Sequence, residues 1–193
     1  MNLAAIVLAA GSARRFGGDK LSADFLGKPM LWHAIRAACA APVERVVVVC
    51  PPALALPEWQ GAAQVDALRI VSDALSTSLK AGVAAVSSAN GALVFLGDMP
   101  LVPEGVAGAL ARHLGDSFAA VPRHHGRSGH PVLLSRRAFP DVALLAGDTG
   151  AGHLLKARDD IAWLEVEDPG ILLDVDSAED LDRLRGEAAG RDH

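Results

Sequence analysis

The chain has 193 residues, 51% of them hydrophobic and 21% charged, with a formal net charge of −5. A chain of this length buries roughly 70% of its unfolded surface in one core without a disulfide or metal staple, and such apolar content excludes intrinsic disorder. The acidic balance, with no block of Lys or Arg, also excludes a protein that grips long nucleic acid by displacing its counterions.

The first ten residues are apolar, lack a basic leader and run straight into Gly11, so residues 4–9 read as a buried strand and not as a signal peptide. Pro29 precedes a helical pattern over 30–41 with Leu31, Ile35 and Ala38 on one face and Pro42 as its stop. RVVVVC at 45–50 is a second buried strand, ended by Pro51 and Pro52. Leu75, Leu79, Val83 and Val86 recur at helical spacing; Asn90-Gly91 breaks that helix and ALVFL at 92–96 forms a third buried strand. Pro103 opens a helix carrying Val106, Leu110 and Leu114, in a first turn where its missing N–H costs nothing. Shorter strands are expected at 117–121, 131–134, 162–166 and 171–173. A last helix starts from Ser177, where Ser-Ala-Glu-Asp has the form of a capping box; past Arg185 the tail GEAAGRDH shows no apolar face and is expected to fray. Alternating strands and helices without repeat or linker predict one α/β domain over 1–185, a three-layer sandwich around a mostly parallel, Rossmann-like sheet. No apolar run approaches the ~20 residues of a membrane span. Cys39 and Cys50, without CxxC spacing, suit a reducing, cytoplasmic setting.

Ligands of parallel sheets gather beyond the carboxyl ends of the strands. The loop leaving the first strand, LAAGSARRFGGDK at 8–20, combines glycines that let backbone N–H groups approach oxygens with the cations Arg15 and Lys20, which predicts a polyphosphate site. Two familiar loops are absent: there is no G-x-G-x-x-G, and Asp19 separates Gly18 from Lys20 where a Walker loop joins them. The stretch resembles the LAAGxSxRxGxxK signature of nucleotidyltransferases akin to the molybdenum cofactor cytidylyl- and guanylyltransferases, within the GT-A-like pyrophosphorylase superfamily. The resemblance implies that Leu8, Ala9, Ala10, Gly11 and Ser12 wrap a nucleoside triphosphate whose phosphates meet Arg15 and Lys20. The family's serine falls at Ala13 here, with Ser12 one place earlier.

Nucleotidyl transfer calls for Mg2+ to neutralise the triphosphate, and hard oxygen ligands suit that ion. Asp98 stands at the carboxyl end of the third strand, and Asp176 precedes the last helix. GDMPLV and DVDSAEDL resemble the family's GDMPxV and DxDTPEDL, which implies that these two acids hold the metal together. Alone, an Asp after a strand serves equally as a turn or helix cap. Asp174 reads as a loop-stabilising carboxylate. Residues 76–78 are ordinary cap types, while Ser78-Leu79-Lys80-Ala81-Gly82 resembles an SSL-x-AG segment that implies a place beside the base for Ser78.

The donor-rich run from Arg123 to His130 has the spacing H-H-x4-H with no Cys or acid beside it, and suits an anion better than zinc. GHPVLL resembles the family's GHPVLF, which implies that Gly129 and His130 meet a phosphorylated pterin. GDTGA at 147–151 resembles GDxGAR and adds Asp148 to the acceptor side, with Gly152 where the family has arginine. The implied activity is Mg2+-dependent transfer of CMP from CTP to molybdopterin, with Arg15, Lys20 and Asp98 catalytic, pyrophosphate released, and a molybdoenzyme or its chaperone as protein partner. The base expectation rests on Ala10, whose methyl narrows the pocket relative to the glycine of LAGG-type relatives and favours a pyrimidine. Competing readings are a guanylyltransferase, a sugar-phosphate-type nucleotidyltransferase, and a non-catalytic nucleotide-binding regulatory or chaperone module.

Overall fold

In the computed structural model, which describes residues 2–11, 16–72, 74–156 and 158–191, the chain opens with β1 (Leu3–Leu8), a hairpin of β2 (Asp24–Phe25) and β3 (Lys28–Pro29), and α1 (Met30–Cys39). It continues through β4 (Arg45–Cys50), β5 (Gln64–Arg69), α2 (Leu75–Ala85), β6 (Gly91–Leu96) and α3 (Glu104–His113). The last part is β7 (Ala119–His124), β8 (Arg127–Ser128), β9 (Val132–Ser135), α4 (Phe139–Ala143), α5 (Ala151–Leu155), β10 (Ile161–Glu165) and α6 (Ala178–Arg191). The main sheet has the order β10-β7-β9-β6-β1-β4-β5, with β8 paired to β7. Strands β6, β1, β4 and β5 are mutually parallel, β10 is parallel to β7, and β9 runs antiparallel between β6 and β7. Leu8 lies beside Val49 on one side and Leu96 on the other, so β1, β4 and β6 finish at one rim.

The uniformly apolar strands follow from the layers. Ala5, Val7, Val46 and Val48 pack with Leu31 and Ile35 of α1 and Leu110 of α3. Their neighbours Ile6, Leu8, Val47 and Val49 face the other way, toward Leu79 and Val83 of α2 and Val142 of α4. Each face thus has its own helices, and strands buried on both sides show no alternation. The expected three-layer α/β arrangement around a mostly parallel sheet is the one observed. No helix among the described residues is long and apolar enough to cross a membrane.

Several expected elements change. Residues 171–173 do not form a strand: Pro169–Leu172 is a 3-10 turn, because the Asp168 carboxylate accepts the Gly170 N–H at 2.7 Å and Pro169 opens the turn. The segment after Arg185, expected to fray, continues α6 to Arg191. Its apolar stripe is Leu181, Leu184 and Ala188, buried against Phe25, Met30 and Val175, and a single small alanine sustains it where the tail alone shows none. The capping box forms as expected: the Asp180 N–H donates to Ser177 Oγ at 3.2 Å and the Ser177 N–H to Asp180 Oδ2 at 3.0 Å. β5 escaped prediction because QVDALR is an edge strand with only intermittent burial, and α4 and α5 are too short to display a helical period.

His33 is buried in α1 and its Nε2–H donates to the Phe25 carbonyl at 2.7 Å. Burial holds its pKa below the ordinary 6.5, with Arg36 adding to the effect and the Phe25 carbonyl and Asp24 opposing it. The unfolded chain therefore takes up this proton first, and stability falls as pH drops below 6.5 toward the folded pKa. Urea midpoints measured from about pH 7 to about pH 5 should decline more steeply in the wild type than in His33→Gln, and equal slopes would contradict the assignment.

Candidate functional site

The rim where β1, β4 and β6 end carries a cleft of ≈320 Å3. After β1 the chain stays tied to the sheet: the Ala9 N–H donates to Val49 O at 2.8 Å, and the Gly97 N–H to Leu8 O at 2.9 Å. Gly97 fits the close approach there, since a Cβ would lie 3.2 Å from both Leu8 O and Leu31 Cδ1, tighter than an ordinary contact. This close approach turns Asp98 out beyond β6. The 174–176 segment is fastened beside it by the Val175 N–H, which donates to Asp98 O at 3.0 Å.

Lys20 joins these pieces. Asp19 caps a short 3-10 turn over Lys20–Ser22, its carboxylate accepting from the Ser22 N–H at 3.3 Å and the Ser22 hydroxyl at 2.5 Å. The turn drives the Lys20 side chain inward, where Nζ donates to Asp98 Oδ2 at 2.7 Å and Val175 O at 2.7 Å and lies 3.7 Å from Asp176 Oδ1. The expected pair of acids is thus brought together around one cation. Asp174, read from sequence as a loop carboxylate, is near enough to feel both: burial chiefly, then the charges of Asp98 and Asp176, raise its pKa, while Lys20 opposes the rise. Two hard carboxylates converging on a cation position, with a third nearby, could hold a divalent metal that takes its other ligands from phosphate and water. Among the described residues no three His, Cys, Asp or Glu converge on one point, so Asp174 stands outside this pair.

Leu8, Ala9, Ala10 and Gly11 line the cleft as expected, together with Lys20, Ser78, Asp98 and Asp176. Ser12 and Arg15, the other expected nucleotide contacts, lie outside the described residues. Ser78 is not a helix cap; Ala74 occupies that place without a side-chain bond. The Ser78 hydroxyl donates to Ser72 Oγ at 2.9 Å, and that hydroxyl donates to Ala74 O at 2.8 Å. Gly82, one turn on, explains why Ser78 reaches the rim: a Cβ there would lie 2.6 Å from Ile6 Cγ2, so glycine lets α2 lie flush on β1.

Pro51, Leu54 and Leu75 also line the cleft and carry no motif that would have singled them out. In the order β6-β1-β4, the acids at the end of β6 and Pro51 at the end of β4 stand on opposite sides of the β1 loop, about 10 Å apart at ordinary strand spacing. The cleft therefore has a charged end and an apolar end.

A second cavity, ≈410 Å3, shares Leu8, Leu75 and Leu96 with the first and is lined by His130 and Asp148 of the expected acceptor residues. Burial is the first cause of a lowered His130 pKa, against the Val94 carbonyl, Asp98 and Asp174, so its imidazole is neutral at pH 7. Gly129 is not on this wall; a Cβ there would collide with the Ile171 carbonyl, and its N–H donates to Pro122 O at 2.9 Å. Gly152 opens onto free space, and His153 and the ammonium of Lys156 line the cavity without any sequence motif having marked them. A larger cavity of ≈560 Å3 between α4 and α5 touches neither Lys20 nor Asp98.

The family model described as a MobA-like NTP transferase domain matches residues 5–161. The purine catabolism protein PucB of Bacillus subtilis is 32% identical over 197 residues, covering 95% of this chain and 96% of its own length. A probable molybdenum cofactor guanylyltransferase of Pyrococcus furiosus is 35% identical over 120 residues, 61% of this chain and 59% of that protein. Rv0371c of Mycobacterium tuberculosis, solved in complex with manganese, superposes with a TM-score of 0.77 at 26% identity, covering 96% of this chain and 99% of that one.

Replacing Lys20 by Met leaves Asp98 and Asp176 facing each other without their cation and should cost about 1–3 kcal/mol in urea unfolding. Mn2+ without nucleotide should then raise the melting temperature of Lys20→Met more than that of the wild type, because a ligand of the native state stabilises it by mass action. An equal rise in both proteins would show that the metal does not compete with the ammonium.

Proposed function

The chain belongs to the MobA-like NTP transferase family, and on that premise we propose that it moves CMP from CTP onto the phosphate of molybdopterin, with Mg2+ as the cation and pyrophosphate as the leaving group. The reading is carried by the convergence of Lys20, Asp98 and Asp176 at the charged end of a cleft whose other end is apolar. The apolar end, with Ala10, Pro51, Leu54 and Leu75, suits a base, and the charged end suits a triphosphate. Mg2+ bound by Asp98 and Asp176 would neutralise the triphosphate and the charge growing on pyrophosphate.

The acceptor phosphate is already an anionic nucleophile, so the chain needs no general base; it has to hold two anions in line and offset their repulsion. Lys20 offers the ammonium for that task, with Arg15 as its partner in the same loop. The adjoining cavity, with His130, Asp148 and Lys156, is the place for the acceptor's body. Its neutral imidazole offers hydrogen bonds without adding a charge.

A guanylyltransferase is the second reading, favoured by the name of the Pyrococcus relative. The measurement that separates the two is kcat/KM for each of the four triphosphates with a molybdopterin acceptor, followed by pyrophosphate release. Ala10 narrows the base end by one methyl, so CTP should be preferred to GTP by roughly 10- to 200-fold, and Ala10→Gly should move the enzyme part of the way toward GTP. A wild-type preference for GTP would transfer the assignment to guanylyl transfer.

The metal pair has its own test. Asp98→Asn and Asp176→Asn should each nearly abolish pyrophosphate release in a protein that still melts cooperatively, and the double variant should be little worse than either, since groups that act as a unit are not additive. Near-normal turnover of Asp98→Asn at saturating Mg2+ would remove Asp98 from the site.

A further inference from the structure

Pro51 and Pro52 leave β4 without backbone N–H groups, so the turn they begin has carbonyls to satisfy and few donors of its own. The neighbouring edge strand supplies the donor. In the parallel register of β4 and β5, Cys50 lies beside Arg69, which puts the guanidinium level with the turn. Arg69 Nη1 donates to Pro52 O at 2.8 Å and Leu54 O at 3.0 Å, with Pro51 O at 3.5 Å, while the Leu54 N–H closes the turn onto Pro51 O at 3.2 Å. All of these contacts come from the one Nη1 amino group, whose two hydrogens serve Pro52 O and Leu54 O with Pro51 O at the edge of reach, and the planar guanidinium fixes the direction of that group in a way the flexible stem of a lysine does not. Leu54, held in this way, is only 7% exposed and forms the apolar end of the cleft with Pro51.

We propose that Arg69 is a positioning residue for nucleotide recognition: by holding the carbonyls of Pro52 and Leu54 it fixes the wall that the base meets, and so governs both affinity for the nucleotide and choice between pyrimidine and purine. The proposal rests on the reading of this cleft as the nucleotide site. Arg69 lies across β4 and β1 from the acids, so its action is on binding and not on the reacting phosphates.

The test uses the full chain with Mg2+, measuring equilibrium dissociation constants for CTP and GTP beside steady-state turnover. Arg69→Ala should weaken CTP binding about tenfold, corresponding to about 1.4 kcal/mol, and compress the CTP:GTP ratio, while kcat at saturating CTP stays within about threefold. Arg69→Lys should recover part of the affinity and less of the ratio. If Arg69→Ala does not fold, Arg69→Lys against Arg69→Gln decides on the same two readouts. The proposal is overturned if Arg69→Ala binds CTP within about twofold of the wild type. It is also overturned if affinity for both nucleotides and kcat fall in one proportion with no recovery in Arg69→Lys. A wild type that binds nucleotide without turnover retracts the transferase reading and leaves Arg69 judged on binding alone; a wild type that binds neither nucleotide removes both.

Discussion

One buried ammonium holds the working end of this protein together. Lys20 reaches across 78 residues of sequence to Asp98 and 155 to the Val175 carbonyl, and in doing so joins the loop after β1, the end of β6 and the segment that leads into α6. Among the described residues Asp98 and Asp176 meet at the Lys20 ammonium, and Asp174, outside that pair, has its pKa raised chiefly by burial and then by their charges. Such a cluster is held at a cost that a divalent ion relieves. The same lysine thus ties the unliganded fold together at the meeting point of both carboxylates.

The rest of the cleft is organised by strand order. Because β1 lies between β6 and β4, a ligand crossing its loop passes from acids to apolar side chains within one molecular length of a nucleotide. The helices are placed to protect that gradient. Gly82 brings α2 against Ile6, which carries Ser78 and Leu75 to the rim, and Gly97 lets the backbone of β6 approach Leu8 before Asp98 turns outward. In both cases the glycine serves a close approach and not backbone freedom, strictly at Gly82 and more loosely at Gly97.

The parts of this architecture that can be read in the sequence are those with a physical signature along the chain. β1, β4 and β6 declare themselves as unbroken apolar runs because both of their faces are covered, while edge strand β5 keeps half its residues in water and is silent. The Ile171 region is apolar but turns under the control of Asp168 and Pro169, a local hydrogen bond that hydropathy cannot report. At the site, Lys20, Asp98 and Asp176 were legible through motifs that resemble those of a known family, since an Asp after a strand taken alone serves equally as a cap. The Val175 carbonyl and the carbonyls gripped by Arg69 were not, since a backbone acceptor has no residue type. Gly129 shows the opposite failure, a residue inside a recognisable motif whose place is taken up by packing on Ile171.

The reversed strand β9 has a separate consequence. Running antiparallel between β6 and β7, it begins at the rim where its neighbours end, so the excursion from the end of β7 through β8 to His130 leaves and returns on the same side of the sheet. A parallel strand in that position would have required a crossover helix and would have delivered only its last residues. Insertions or deletions in residues 125–130 thus alter the rim beside His130 and the short β8, without moving the seven strands from β10 to β5. At the end of β1, by contrast, Leu8 and Ala9 are tied to the ends of β6 and β4 and have no such latitude.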